Sequence, residues 1–177
     1  MCQYINIVLP TDIKLDKVKS LFTKHGLGCR PFENNFILRQ IPKGGQLVNT
    51  TVNQCDCGSV IASASHPSSR DIQPNDIERL KRKGWSETKI KNWTESKTKT
   101  NTQAKERDKE RDQWTKFLEE VIMENKIGRV GLYIHWYDDK MEDEEIVFNS
   151  RERVSLTALK GDTLDKLNYD ILYEFIP

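Results

Sequence analysis

The feature that most constrains the fold is the strand pattern with which the sequence begins. Residues 3–9 read QYINIVL, a run dominated by aromatic and aliphatic types, and Pro10 ends it. Aromatic and β-branched residues favour strands, whereas proline cannot donate to a strand ladder. Residues 12–25 then place apolar side chains at helical spacing, and Gly26 suits a helix C-terminus. The chain is therefore expected to begin with a strand and an amphipathic helix.

The order of the later patterns predicts the fold class. Residues 35–41 and 47–52 are typical of two strands joined by a Pro-Lys-Gly-Gly turn, and residues 129–137 are typical of a further long strand. A long helix is expected before that last strand. The element order β-α-β-β-α-β resembles that of a split βαβ, or ferredoxin-like, arrangement. We therefore expect an α+β chain with a ferredoxin-like antiparallel sheet, a helical insertion and a C-terminal β/α extension.

The length of 177 residues suits one domain with an elaboration better than two full domains. The C-terminal extension is expected to contain short strands at 146–149 and 153–159, a brief helix capped by Asp162 or Thr163, and a closing apolar stretch. The expected parts are 1–61 for the βαββ half of the core, 62–104 for a linker and a basic helical-hairpin insertion, 105–137 for the long helix and strand that complete the core, and 138–177 for an acidic turn and the C-terminal extension.

The helical insertion is predicted from capping signals. Residues 76–96 are expected to form a helical hairpin whose first helix ends at Gly84. Ser86 is a good N-cap for the second helix, and Trp85 and Ile90 hold the two positions of a hydrophobic staple across it. The hairpin is expected to precede the long helix as a separate element.

The long helix is expected to change character along its length. Residues 105–112 repeat the tetrapeptide KERD and contain no apolar side chain, so this part is expected to be solvated on all sides. An apolar stripe then begins, and its members are Trp114, Phe117, Leu118, Val121 and Ile122. The second half of the helix is therefore the part expected to pack.

The sharpest chemical feature is the stretch 54–59, QCDCGS, which places two thiols one residue apart. In the expected topology the first strand starts, the first helix ends and the third strand ends at one pole of the sheet. The four cysteines expected to gather at that pole are Cys2, Cys29, Cys55 and Cys57. Convergent thiolates suit a tetrahedral Zn²⁺ site, with His66 as a substitute ligand. The sequence thus predicts a possible structural zinc site.

Other interpretations of the cysteines stay open. The Cys-x-Cys spacing is shorter than that of usual zinc-ligand pairs, and a buried free cysteine can serve as a small hydrophobe. In that case Asp56 and Gly58 form a turn. A dithiol–disulfide pair is another alternative, although so small a ring is strained. Removal of Met1 would expose Cys2 as an N-terminal nucleophile; amidotransferases of that class begin Met-Cys-Gly, and this chain departs from them at Gln3.

The insertion begins with a basic stretch. Residues 79–99 contain eight Lys or Arg and two Glu, with two tryptophans interleaved. Cations neutralise phosphates and aromatic rings stack on bases, so this pattern suits nucleic acid. The candidate residues for that alternative are Arg79, Lys81, Arg82, Lys83, Trp85, Lys89, Lys91 and Trp93. Equally, the tryptophans can form the small core of the hairpin, with the cations as its solvated face.

The turn at 138–145, called the acidic turn below, carries six acidic residues and one lysine. A chain with one basic arm and one acidic tip suits a protein partner, because electrostatic steering depends on local fields more than on net charge. The simpler alternative is a solvated hairpin tip. The candidate residues for a protein partner are Asp138, Asp139, Glu142, Asp143, Glu144 and Glu145.

Composition bounds the function that these features imply. No apolar run is long enough to cross a membrane, and no export signal is evident, so a cytoplasmic protein with reduced thiols is expected. No nucleophile–base–acid constellation emerges from the order of residues. We therefore expect a small cytosolic macromolecule-binding protein, more a binding protein than an enzyme, with a protein partner. The alternatives are a nucleic-acid-binding protein and a thiol hydrolase that uses Cys2.

Overall fold

In the computed structural model the described residues are 2–57, 59–61, 77, 80–82, 84–138, 140–159 and 163–177, with the backbone alone described at 96–104. The chain divides into two compact units: a larger one of Met1–Ser65 with Arg111–Pro177, and a smaller one of His66–Glu110. The fold is α+β. No helix in the described part of the chain combines the length and the apolar character that crossing a bilayer requires.

Six strands of the larger unit pair into one mixed sheet in the order β2-β3-β1-β4-β6-β5. Their bounds are β1 (Cys2–Leu9), β2 (Arg30–Phe32), β3 (Gln46–Asn49), β4 (Val130–Tyr137), β5 (Ser150–Ser155) and β6 (Ile171–Ile176). β1 is central: it lies antiparallel to β3 and to β4, with Ile7 opposite both Val48 and Leu132. The strands predicted at 3–9 and 129–137 are therefore confirmed.

The predicted strand at 35–41 is wrong, because this segment begins with α2 (Asn35–Leu38). Asn34 caps that helix, since its side-chain oxygen accepts a hydrogen bond from the Ile37 N–H at 3.0 Å. A short apolar run does not distinguish a strand from a buried helix, and here the cap decides. The strand beside β3 is instead β2, where Pro31 lies at the edge of the sheet and is tolerated.

The six-stranded sheet is mixed and not antiparallel throughout, because β5 and β6 of the C-terminal extension run parallel. Between them the chain passes through two short 3-10 helices, Leu156–Leu159 and Leu164–Lys166. A connection of this length lets the chain return and start β6 at the same end as β5. The strands predicted at 146–149 and 153–159 are correspondingly replaced by β5 and the first 3-10 helix.

The first helix, α1 (Leu15–Lys24), ends as predicted at Gly26. Gly26 has φ +65°, and its N–H donates to the Thr23 carbonyl at 3.0 Å. The Leu27 N–H then donates to the Phe22 carbonyl at 2.8 Å. These two bonds and a left-handed glycine form a Schellman motif, which satisfies the last carbonyls of the helix.

A single helix, α3 (Glu87–Glu124), replaces the second arm of the predicted hairpin and the separate long helix. No glycine or proline occurs from 87 to 124, so no backbone signal divides the helix. The Ser86 hydroxyl accepts from the Lys89 N–H at 3.3 Å, which confirms the predicted N-cap. Gly84 has φ +75°, and the chain reverses there before α3 begins, as predicted.

Side chains of β1 alternate between two apolar clusters of the larger unit. Ile5, Ile7 and Leu9 join one cluster with α1 and the second half of α3. Val8 joins another cluster with α2 and Tyr133. The predicted stripe on α3 is confirmed as buried, and its members are Trp114, Phe117, Leu118, Val121 and Ile122. These two clusters hold β1 rigidly, and β1 in turn positions the site.

Candidate metal centre

Three of the four cysteines lie together at the start of β1. The sulfur atoms of Cys2, Cys55 and Cys57 are all within 4.8 Å of one another. Among the described residues no cysteine forms a disulfide; Cys57 is exposed, and Cys2 and Cys55 are half-buried. The group therefore combines three free thiols with access to solvent.

Backbone hydrogen bonds hold the cysteine loop, residues 54–57, against β1. The register of β3 covers the second half of β1. Ahead of that part, the Asp56 N–H donates to the Gln3 carbonyl at 2.9 Å, and the Asp56 carboxylate accepts from the Ile5 N–H at 2.8 Å. Buried backbone groups need such partners, so the cysteine loop takes the place of β3 as the hydrogen-bonding partner along this edge of β1. Cys2 and the loop cysteines are thereby brought together.

Asp56 does more than the turn role that the sequence predicted for it. The carboxylate oxygen that accepts from β1 also accepts from the Thr51 hydroxyl at 2.5 Å. The Asp56 carbonyl accepts from the Ser59 N–H at 3.0 Å. One carboxylate thus joins β1, the segment after β3 and the loop. The local signal, a threonine five residues before an aspartate, is too common to have identified this role.

A backbone donor also points at one of the sulfur atoms. The Gln3 N–H donates to Cys57 Sγ at 3.4 Å. Hydrogen bonds from backbone N–H groups to sulfur orient the side chains that bind metals. The strand that carries Cys2 therefore also orients the sulfur atom of Cys57.

Cys29 is not a member of the three-thiol group, although the sequence predicted it there. It packs half-buried against the larger apolar cluster, and burial raises the pKa of its thiol. Cys29 immediately precedes β2, which β3 separates from β1, and each strand spacing is about 4.8 Å. Reaching the same pole of the sheet therefore does not bring it beside Cys2. His66 and Gly58 lie outside the described residues.

Tyr4 and Arg30 shape the electrostatics around the thiols. The pKa of Tyr4 is raised first by burial and then by Cys2 and Cys55, whereas Arg30 lowers it. The Tyr4 hydroxyl donates to the Gln54 carbonyl at 3.0 Å. The Arg30 guanidinium donates to the Thr51 carbonyl, shortly before the cysteine loop, at 3.1 Å. Arg30 thus adds a positive charge to the surroundings of the Tyr4 hydroxyl, beside the three thiols.

A chain of buried polar side chains continues from the cysteine loop to β4. The Asn49 amide donates to the Thr51 hydroxyl at 3.2 Å and to the Asn6 side-chain oxygen at 3.1 Å. The Asn6 amide donates to the Tyr137 hydroxyl at 3.2 Å. Burial raises the pKa of Tyr137 well above its ordinary value, so this phenol stays neutral. The loop is therefore tied to the sheet through side chains as well as backbone.

The acidic turn divides into one inward and several outward acids. Glu144 turns inward: one carboxylate oxygen lies 3.1 Å from His135 Nε2, and the other accepts from the Asp138 N–H at 3.0 Å. His135 Nδ1 is paired with Asp170 at 2.5 Å. Asp139 lies outside the described residues. The outward, exposed acids are Asp138, Glu142, Asp143 and Glu145.

Residues that flank α2 bind the backbone of the second half of the acidic turn. The Asn34 amide donates to the carbonyls of Met141 and Glu144, both at 2.8 Å. The Gln40 amide donates to the Ile146 carbonyl at 2.7 Å. A turn that is already ordered loses little entropy when it binds a partner.

The basic stretch belongs to the smaller unit, and the structure describes part of it. Trp85 and Trp93 are half-buried, and the Lys89 ammonium lies 4.2 Å from the Trp85 ring centroid. Arg79 and Lys83 lie outside the described residues. The exposed cations of the predicted set are Lys81, Arg82, Lys89 and Lys91.

The three thiols are chemically suited to a soft or borderline metal ion. A tetrahedral zinc site has Zn–S distances of about 2.3 Å, which places its sulfur atoms roughly 3.8 Å apart. Sulfur atoms within 4.8 Å reach that spacing by small side-chain rotations. Three protein thiolates supply three of four tetrahedral positions, and the exposure of Cys57 leaves room for a further ligand.

Comparison of the chain with protein-family models, with curated proteins and with solved structures gives no match.

Proposed function

We propose that this chain is a zinc-binding interaction protein without catalytic activity of its own. The observation that carries the zinc assignment is the approach of Cys2, Cys55 and Cys57 to within 4.8 Å. Three thiolates select zinc or another thiophilic ion over Mg²⁺ and Ca²⁺, which prefer oxygen. A reducing compartment such as the cytoplasm keeps these thiols available.

The role of the metal is structural in this proposal. Cys2 starts β1, and the other two ligands lie in the cysteine loop, so one ion joins segments that are more than 50 residues apart in the chain. A metal that binds the folded chain and not the unfolded one adds its binding free energy to folding. In this proposal a water molecule completes the tetrahedral coordination.

We also propose a finer assignment of the fold, to the ferredoxin-like arrangement. Four strands follow the spatial order β2-β3-β1-β4, and all three neighbouring pairs are antiparallel. β1 and β2 are joined through α1, with β3 between them. This arrangement supports a ferredoxin-like split βαβ core to which β5 and β6 are added.

Metal content tests the zinc proposal. Protein purified without added metal, or loaded with zinc and dialysed, is expected to hold about one zinc ion per chain by mass spectrometry. Cys55→Ser and Cys57→Ser are expected to reduce that to near zero, because two thiolates hold zinc poorly. Cys29→Ser is the matched control and is expected to retain zinc. The proposal would be contradicted if the wild-type protein held no zinc after loading, or if Cys29→Ser lost as much zinc as the other two variants.

The partner in this proposal is a protein with a basic surface, which the acidic turn binds. Support comes from the four exposed acids, whose positions are held by the Asn34 and Gln40 hydrogen bonds. Charges that are fixed in space before binding give both steering and specificity.

An octalysine peptide is a suitable probe of the acidic surface. We expect a variant with Asp138, Glu142, Asp143 and Glu145 changed to their amides to bind it about tenfold more weakly at low salt. The matched control neutralises four exposed acids elsewhere, Asp16, Asp112, Glu119 and Glu124, and is expected to change affinity much less. Fluorescence anisotropy measures both. Equal weakening by both variants would reject a localised acidic site.

Nucleic-acid binding through the smaller unit is the alternative. The exposure of Lys81, Arg82, Lys89 and Lys91 supports it, since cations must reach phosphates. A single-stranded oligonucleotide whose affinity falls steeply with salt, and whose binding is lost when those four residues become glutamine, would favour this alternative over the acidic surface. No binding at low salt would remove it.

The thiol-hydrolase alternative requires a free N-terminal Cys2. Its sulfur instead shares its surroundings with two further thiols, an arrangement that favours metal ligation. An intact mass that retains Met1 would exclude this alternative.

A further inference from the structure

A cavity of about 320 Å³ lies at the end of β1 opposite to the three cysteines. Its walls come from the end of β1, the turn after it, the segment between α2 and β3, and the facing parts of β4 and β6. This volume is at the lower limit of ordinary small-molecule sites. The function proposed above makes no use of the cavity.

The floor of the cavity is apolar and closely packed. Gly131 lies on β4 between Val8 of β1 and Leu172 of β6, and a Cβ atom at Gly131 would stand 2.8 Å from Val8 Cβ and 3.1 Å from Leu172 Cδ1. Because Gly131 has no side chain, Val8 and Leu172 can approach each other across β4. Pro10 and Pro42 add apolar surface to the walls. An apolar group of a ligand therefore loses water on entering.

One wall of the cavity carries an ion pair of Arg129 with Glu174, and Arg153 flanks that pair from outside the cavity lining. The Glu174 side chain is 9% exposed, and its two oxygens face Arg129 Nη1 at 3.3 Å and Arg153 Nε at 3.7 Å. Two guanidinium groups thus oppose one buried carboxylate. The Arg129 side chain lines the cavity and is 44% exposed, so its planar fork is accessible to a ligand.

The other charge at the cavity is Asp12, on the side of the turn after β1. Asp12 is exposed, so water and salt screen its effect on a ligand. Arg129 is 44% exposed, but the buried Glu174 carboxylate holds its guanidinium next to the apolar floor. Arg129 therefore dominates the selection of ligand charge, and the site favours an anion.

We propose that this cavity binds a small apolar carboxylic acid, with its hydrocarbon part on Val8 and Leu172 and its carboxylate on the Arg129 guanidinium. Arginine and carboxylate form paired hydrogen bonds of matching geometry. The ligand carboxylate shares the Arg129 guanidinium with Glu174.

Titration with 4-methylpentanoate, followed by amide NMR shifts, tests the proposal. We expect saturable shifts at Gly131, Gly45 and Leu172, with a dissociation constant on the order of 1 mM. The uncharged analogue 4-methylpentan-1-ol and the cation 4-methylpentylammonium are expected to bind about fivefold more weakly or worse, because they lack the anionic group.

Two variants separate the charge effect from folding. Arg129→Met combined with Glu174→Gln removes both members of the ion pair at once, so the buried Glu174 carboxylate is not left without Arg129. We expect this double variant to bind the alcohol as before and to lose the preference for the carboxylate. Arg151→Met, an exposed arginine of β5 that does not line the cavity, is the control and is expected to keep that preference. Absent shifts at the cavity, equal affinities for acid and alcohol, or an unchanged preference in the double variant would each overturn the proposal.

Discussion

A chelator is expected to lower the melting temperature of the zinc-loaded wild-type protein by about 10 °C and to leave Cys57→Ser unchanged. Zinc at roughly a thousand times its dissociation constant stabilises the folded chain by about 4 kcal/mol, and each kcal/mol is worth about 2–4 °C in a chain of this size. The stabilisation disappears when the ion is removed. The variant lacks one of three thiolates and has little bound metal to lose.

Differential scanning fluorimetry with and without EDTA gives both differences in one experiment. Cys29→Ser is the control, because Cys29 lies outside the three-thiol group and packs against the apolar cluster. It is expected to melt somewhat lower than wild type and to show the full response to EDTA. A wild-type protein whose melting temperature does not respond to EDTA after zinc loading would remove the structural role of the metal.

Replacement of Asp56 by alanine is expected to reduce the free energy of unfolding by about 3 kcal/mol, measured by urea denaturation of metal-free protein. Its carboxylate accepts from the Ile5 N–H at 2.8 Å and from the Thr51 hydroxyl at 2.5 Å. Hydrogen bonds to a charged acceptor are worth about 1.5–3 kcal/mol each, and water replaces part of the loss. The Ile5 N–H on the central strand would be left without its acceptor.

Asp56→Asn is the matched variant, since it keeps one side-chain oxygen at nearly the same position. It is expected to lose about 1 kcal/mol, because the acceptor is retained and the charge is not. Both variants keep all three thiols, yet zinc affinity is expected to fall about tenfold or more, as groups that orient ligands affect metal binding strongly. A loss below about 0.5 kcal/mol in Asp56→Ala would show that the loop does not depend on this carboxylate.

Much of the local structure was predictable because its signals are local. The turn of α1 at Gly26 and the reversal at Gly84 follow from glycine's access to positive φ, observed at +65° and +75°. Ser86 caps α3 by accepting a hydrogen bond from the N–H of Lys89, three residues further along the chain. The buried stripe from Trp114 onward follows from helical spacing.

The misassigned elements were those in which competing local signals had similar strength. The apolar run at 35–41 fits a short strand and a short helix equally well, and the hydrogen bond from the Ile37 N–H to Asn34 selects the helix. Likewise, no local signal distinguishes a parallel from an antiparallel partner for β5. Its direction depends on how the two 3-10 helices carry the chain back to β6.

The sequence by itself determined the α+β class, the central strands, the C-terminal turn of α1, the N-cap of α3 and the presence of thiols at one pole. Tertiary structure decided which thiols meet: Cys55 and Cys57 reach Cys2 because Asp56 binds the backbone of β1, while β3 keeps Cys29 apart. Capping and periodicity act over a few residues and can be read along the chain. Contacts between residues 2–5 and 55–57 depend on strand pairing across some 50 residues, which local propensity does not encode.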